Sequence, residues 1–522
     1  MSPDCPRAPD LARAIIIVGG GTAGWLAAGL LAARLGLAAR DDLQITVVES
    51  PRVPILGVGE GTWPTFRQSL KAMGIGEADF LAACDATFKQ GSQFVGWNQS
   101  PVPGGHSYIH PFTPPHRFGE LDLASAWLAE PTTGFDEAVC FQTVLCRAGL
   151  APKLRNSPDY EGIGNYAYHF DAGKVAAFLK DHCIAHLGVK HVADDVLDCV
   201  TDRGDDGEGD GAITALRTAR HGDLPGDLFI DCSGQHGVLM DRVYKARMVD
   251  CRDILLVDTA LAIPVPYPQA DSPIASVTLA TAQSAGWIWD IGLKTRRGTG
   301  YVYSSRHVSH DEARHTLDRY VRTISGKPMQ DEPRRIAINS GYRERFWIAN
   351  CVAIGVSAGF IEPLEASSIA MIEISANHLA EHLTFDRKVM AIEAGRFNRK
   401  MDQLWHDVID FLKLHYVLSD RTEPFWLDNR APCSIPSSLR DNLRIWQNRP
   451  PIEGDFVHTC QLFGPASYQY ILYGMHRAGA VKGDASCKPR NERANNHIGE
   501  VRALTAKLSR VLGPNRDFAV GI

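Results

Sequence analysis

The chain has 522 residues, 45% hydrophobic and 22% charged, an ordinary globular composition that excludes a disordered chain, a collagen and a coiled coil. At about 150 residues per domain, that length suggests three or four domains. With 54 Lys and Arg against 60 Asp and Glu the formal charge is −6, whereas nucleic-acid binders are more often basic, so nucleic acid is not an expected partner.

The first informative element is the apolar run Ala14–Ala33, in which only Thr22 is polar. Its length would suit a transmembrane or signal segment. Its composition instead divides it. Ile15-Ile16-Ile17-Val18 is β-branched, Gly19-Gly20-Gly21 breaks a helix, and a helix-forming Ala/Leu stretch follows. This predicts strand, turn and helix, with no membrane span. Gly19 to Gly24, with Thr22 and Ala23 between Gly21 and Gly24, fits GxGxxG. Gly19 permits the tight turn, Gly21 lets the backbone approach a pyrophosphate, and Gly24 lets helix and strand pack closely. The helix N-terminus then favours phosphate. A second predicted strand, Gln44–Val48, ends in Glu49, an acid placed to accept hydrogen bonds from a ribose diol. These features predict a dinucleotide site without separating FAD from NAD.

Further along come Gly57–Pro64 (GVGEGTWP), Thr87-Phe88-Lys89, Phe94–Trp97, His110-Pro111-Phe112 and Tyr166–Asp171. His182 and His186 have helical spacing, but Cys183 stands where a zinc HExxH motif needs Glu. Thr201–Gly211 reads as an acidic turn between two strands, because Arg217 stands where a calcium loop needs a bidentate Glu. Asp227–Gly234 is a predicted strand running into a turn of small residues, and Asn350–Gly355 another strand. Trp287–Gly292 (WIWDIG), Phe360–Glu365 (FIEPLE) followed by Ala366-Ser367-Ser368, and Phe411–Tyr416 (FLKLHY) complete the motifs. Lys482–Arg493 is polar and is expected to be a surface loop. The 12 cysteines are scattered without a CxxC, which argues for reduced thiols in a cytoplasmic protein and against a disulfide framework or a metal site.

In order and spacing, the motifs from about Ala14 to about Met475 resemble those of the flavin-dependent halogenases of the tryptophan halogenase type. The resemblance implies an α/β chain, in which an FAD-binding two-dinucleotide-type (flavin monooxygenase-like) fold is interleaved with a mainly helical substrate module. The FAD module would comprise residues 10–100, 165–260 and 340–400, and the substrate module 100–165, 260–340 and 400–522. The implied chemistry starts from reduced FAD and O2, which give a flavin hydroperoxide. Chloride or bromide attacks it, and the hypohalous acid released moves through a tunnel to an electron-rich aromatic substrate.

The resemblance also assigns residues. Gly19, Gly21, Thr22, Ala23, Gly24 and Glu49 would hold FAD. Gly57, Val58 and Gly59 would lie in the strap between the flavin and substrate sites, and Gly355 and Ile369 would also face the flavin. The amides of Ser367 and Ser368 would bind halide. Lys89 would polarise the hypohalous acid or carry the halogen as a haloamine. Burial should lower the lysine pKa and a nearby Glu365 should oppose that. Glu365 would stabilise the arenium ion or accept its proton. Trp287 and Trp289 would keep substrate from the flavin, or serve simply as core.

Three departures stand out. Gly292 replaces a proline and frees the local backbone, Ala366 replaces a serine beside the glutamate, and Val356 follows Gly355 where many flavin monooxygenases have Asp. For substrate, His110 and Phe112 would form an aromatic wall, and His458, Leu462 and Phe463 align with the residues that hold free tryptophan. His458 then replaces the Glu that pairs the ammonium. Losing such a charged hydrogen bond costs about 1.5–3 kcal/mol, so indole or another simple electron-rich aromatic is expected, with a peptide or carrier-bound substrate left open. A single dinucleotide fingerprint leaves no place for NAD(P)H, so a separate flavin reductase or diffusing FADH2 should supply electrons. A homodimer stays open, as do two other readings: an FAD-dependent aromatic monooxygenase, and a flavin-binding protein without catalytic activity.

Overall fold

The computed structural model describes residues 13–53, 59–99, 105–131, 133–202, 211–456, 461–475 and 488–520. Gly57, Val58, His458 and most of the acidic turn lie outside the described residues.

The apolar N-terminal run divides as its composition predicts, into a strand at Arg13–Val18 and a helix at Thr22–Leu35. Between them Gly19 has φ +118°, and a Cβ there would fall 2.2 Å from the Cys232 carbonyl oxygen, so only glycine fits. The strand is internal to a six-stranded sheet whose order is Trp347–Ile348, Cys351–Ala353, Leu228–Asp231, Arg13–Val18, Leu43–Glu49 and Lys190–Ala193. All pairings are parallel except the first. Both faces of such a sheet are covered, which is why Ile15 to Val18 read as an unbroken apolar run rather than an alternating one. Helix Thr22–Leu35 lies against Ala172–His186 and Ser367–Glu381.

A seven-stranded sheet carries Arg334–Ala337, Thr259–Pro266, Arg296–Tyr303, Gly286–Gly292, Thr278–Gln283, Gly91–Val95 and Ser107–Pro111 in that order. Its one parallel pairing sets Ser92 and Phe94 opposite Thr278 and Ala280. Segment 260–340 thus combines strands of this sheet with one helix, His310–Ser325, while further helices lie in 123–147 and beyond Arg387. Gly292 is the last residue of its strand and its carbonyl accepts from Thr87 Oγ1 at 2.6 Å, so the freedom expected of a glycine there is not used. A small sheet of Gly59–Gly61, Ala167–Asp171 and Thr87–Lys89 pairs Lys89 with Ala167 and Gly61 with His169.

The 32-residue helix Arg387–Leu418 begins at Asp386, whose side chain accepts from the Lys388 and Val389 amides. Its last turns, Val408 to Leu418, are buried all round, as for a helix running through a core. Helix Pro465–Gly474 lies against strand Ser107–Pro111, and Asn515–Val520 docks on Thr87–Lys89, with Asn515 Nδ2 donating to the Phe88 carbonyl at 3.1 Å. The polar stretch read as a loop at Lys482–Arg493 is helical from Lys488, within helix Lys488–Leu508. Lys, Arg and Glu are good helix formers, so polarity alone was a poor guide there. Among the described residues no helix is long and apolar enough to cross a membrane.

Candidate active site

One cavity of about 790 Å³ runs from the first βα turn to the loop that carries Glu365. Around the glycine turn it is lined by Gly19 to Ala23, Glu49, Gly59 and Gly355. The glycines here have distinct duties. A Cβ at Gly21 would meet nothing within 4 Å, so this backbone presents an open face to whatever occupies the cavity. A Cβ at Gly24 would sit 1.8 Å from the Gly19 carbonyl oxygen, forcing the helix off the turn. Such overpacking costs about 1–3 kcal/mol, so Gly24→Ala is expected to weaken flavin binding about tenfold or more, measured by quenching of flavin fluorescence. Gly355 has φ +72°, and a Cβ there would lie 2.7 Å from Ala23 Cβ. Glu49 ends its strand as expected, and its Oε2 lies 2.9 Å from Lys180 Nζ and from His191 Nε2.

Trp287 and Trp289 also line this cavity. Trp287 Nε1 donates to Glu362 Oε2 at 2.9 Å, and Tyr416 OH donates to the same oxygen at 2.5 Å. Burial pushes the Glu362 carboxyl up to about 7. Trp289 is accommodated because Gly300 faces it: a Cβ at Gly300 would lie 2.1 Å from the indole. The two tryptophans therefore both line the cavity and pack in the core.

The same cavity is lined by Lys89, Ser92, Phe94, Glu365, Ser368 and Ile369. Lys89 is 1% exposed, and its Nζ lies 5.4 Å from the centroid of the Phe112 ring. Room for it comes from Gly61, whose missing side chain would begin 3.0 Å from Nζ. Burial pulls the Lys89 pKa down to about 8, against the opposing pull of Glu365. His169 is held well below its usual range, chiefly by burial and then by Lys89.

Glu365 and Ala366 have φ +66° and +54°, left-handed backbone that non-glycine residues adopt at a cost of about 1–3 kcal/mol each. Trp63 helps to hold this turn, its Nε1 donating to the Glu365 carbonyl at 2.7 Å. Glu365 Oε1 lies 2.8 Å from His110 Nδ1 and 3.2 Å from His415 Nε2, and Ser92 Oγ donates to Oε2 at 3.2 Å. Burial works to raise the carboxyl pKa, but His110 and His415 outweigh it and hold it well below the usual range. Ser367 and Ser368 form the first turn of helix Ser367–Glu381, which has no side-chain cap; Ser368 lines the cavity and Ser367, buried beside it, does not.

Of the substrate residues expected from sequence, His110 and Phe463 lie around Glu365 and Phe112 lies by Lys89. Phe463 stacks on Phe411 at 3.7 Å and meets Trp63 edge-on at 4.7 Å. Leu462 lines a separate cavity of about 260 Å³ with Trp63 and Glu373. His415, Tyr416, Glu362 and Trp63 lay within motifs singled out in the sequence, yet nothing local assigned them partners. His415 meets a carboxylate 50 residues away in the chain, a pairing that only the folded structure displays.

The tryptophan halogenase family model matches residues 14–485. The chain is 34% identical to the tryptophan 6-halogenase of Streptomyces albogriseolus over 460 residues, covering 84% of this chain and 83% of that one. It superposes on the crystal structure of a tryptophan halogenase from Shewanella frigidimarina with a TM-score of 0.90, at 44% identity and with 98% and 97% of the two chains covered. A flavin-dependent halogenase from Brevundimonas sp. gives a TM-score of 0.84 at 31% identity, with 98% and 99% covered.

Proposed function

The chain belongs to the tryptophan halogenase family, and from that premise we propose that it is an FADH2-dependent halogenase of a small, indole-like aromatic, using chloride or bromide. The observation that carries this reading is the single cavity that joins the glycine turn to Lys89 and Glu365. FAD fits its nucleotide end: Gly21 offers open backbone, the helix N-terminus faces phosphate, and Glu49 can take the ribose. Gly59, Gly355 and Ile369 line the rest of that path. When bound and reduced, the flavin supplies hypohalous acid from O2 and halide. A separate flavin reductase, or diffusing FADH2, supplies the electrons.

The protein's own residues do the remainder. The amides of Ser367 and Ser368 hold halide without a formal charge. Trp287 and Trp289 fill the middle of the cavity and keep the aromatic substrate away from the flavin. Lys89, with a pKa near 8, is mainly an ammonium at neutral pH. It donates a hydrogen bond to hypohalous acid and makes the halogen more electrophilic, which favours polarisation over a haloamine. The Glu365 carboxylate stabilises the arenium ion and takes its ring proton. His110, Phe112 and Phe463 supply the aromatic walls. In this reading segments 10–100, 165–260 and 340–400 serve the flavin, and 100–165, 260–340 and 400–522 the substrate.

The test is a product screen. Indole, free tryptophan and phenols are each supplied with a flavin reductase, FAD and chloride or bromide, and the products are read by mass spectrometry. Exchange of a ring hydrogen for halogen, better on indole than on free tryptophan, is the expected result. No halogenated product from any of these aromatics would refute the reading.

A further inference from the structure

The buried end of helix Arg387–Leu418 holds a histidine whose hydrogen bonds fix its proton count. His415 is fully buried, and its Nδ1 lies 2.9 Å from the Phe411 carbonyl oxygen. A carbonyl only accepts, so Nδ1 carries a hydrogen. The other ring nitrogen, Nε2, lies 3.2 Å from Glu365 Oε1. If the imidazole were neutral and Glu365 ionised, that Nε2 would present a lone pair to a carboxylate oxygen, which is repulsive; a neutral ring fits only if Glu365 keeps its proton and donates it. The contact is attractive when Nε2 also carries a hydrogen. The surroundings suit a cation: the rings of Phe94, Phe411 and Trp97 lie 4.8, 5.2 and 6.0 Å from the imidazole.

We propose that His415 is an imidazolium that keeps the buried Glu365 ionised, and so acts through Glu365 as a positioning residue for halogenation. The inference rests on the function proposed above. Glu365 sits in low dielectric, where an isolated carboxyl would hold its proton. A protonated Glu365 could neither stabilise the cationic arenium ion nor accept its proton. With His415 charged, the carboxylate persists and the step balances. The ring carbon bonds halogen as the halogen–oxygen bond breaks, its electron pair leaving with hydroxide. The ring C–H bond then breaks, its electrons restore aromaticity, and the proton passes to Glu365 and on to hydroxide, giving water.

Other groups face Glu365. His110 contributes a second ring nitrogen to Oε1, Lys89 interacts with it across the cavity, and Ser92 donates to Oε2. Tyr108 is pushed well above its usual range, by burial first and then by Glu365. Lys413, on the same helix as His415, is tied instead to the Ile254 carbonyl and to Asn429.

The test has two parts. In ¹⁵N-histidine-labelled enzyme saturated with oxidised FAD, both ring nitrogens of His415 should carry a hydrogen at pH 7, and only Nδ1 in Glu365→Gln. A neutral His415 at pH 7 in the parent would overturn the proposal. His415→Gln keeps an N–H donor but cannot carry charge. It should retain FAD and hypohalous acid formation, lose kcat on the order of tenfold with KM unchanged, and show its acid limb moved up toward neutral pH. Glutamine restoring parental kcat and acid limb would mean that His415 only fills space. Failure of the parent to halogenate any aromatic would refute the function, while the labelled spectrum would still decide the charge of His415.

Discussion

Lys89→Ala is expected to bind FAD as the parent does, to consume O2 and halide, and to lose on the order of 10²-fold or more of its halogenated product. The expectation comes from where Lys89 sits. It belongs to strand Thr87–Lys89 and packs on Gly61 and Phe112 rather than in the glycine turn, so its removal leaves that turn's backbone in place. What disappears is the buried ammonium over the Phe112 ring, the group proposed to polarise the halogenating species. Removing one preorganised donor from a water-poor site typically costs about 10²–10³ in rate. The check is a paired measurement of O2 uptake and of product by mass spectrometry. Unchanged product yield would remove Lys89 from the chemistry. The same placement sets the alkaline side of the pH profile. The ammonium is present below its pKa of about 8 and is lost as pH rises through it, so turnover should fall above that value.

Glu365→Gln is the second large effect. Glutamine keeps the volume and can still accept from His110, but it neither balances a cationic arenium ion nor takes a proton. A loss of about 10²-fold in kcat is expected, within the usual range for a general base, with KM for the aromatic little changed. Hypohalous acid should still form and be released, detectable by a chemical trap. Parental kcat in this variant would contradict the assignment. The histidines hold the parent's Glu365 pKa well below the usual carboxylate range, so its negative charge is lost only as pH falls through that lowered value. Turnover limited by Glu365 should therefore be level through mildly acidic pH.

Much of the nucleotide end was legible in the sequence, because its determinants are local. A β-branched run, a glycine turn and an acid ending the next strand each express their constraint within a few residues, and the structure places them in one cavity. Lys89 and Glu365 were legible only through whole motifs, since neither residue type is distinctive alone. Within segment 260–340, strand Gly286–Gly292 reads poorly because it is buried on every residue, which removes the alternating pattern that marks a half-buried strand. The contacts around Glu365 were not legible at all. They join Trp63, Ser92, His110 and His415, which lie 302, 273, 255 and 50 residues from it. Such pairings depend on the sheet register and on the course of helix Arg387–Leu418, and no local pattern encodes them. Leu462 shows the complementary limit: of neighbouring positions read as one substrate surface, Leu462 lines the smaller cavity while Phe463 packs on Trp63 and Phe411.

The flavin chemistry shared with aromatic monooxygenases makes the fate of oxygen the sharpest question. In the monooxygenase alternative one atom of O2 enters the ring; in halogenation both leave it untouched. Reaction of the reduced holoenzyme with indole and bromide under ¹⁸O2, followed by mass analysis of the product, separates the two. The account predicts bromoindole free of ¹⁸O, and an indole product that carries ¹⁸O and no bromine would contradict it.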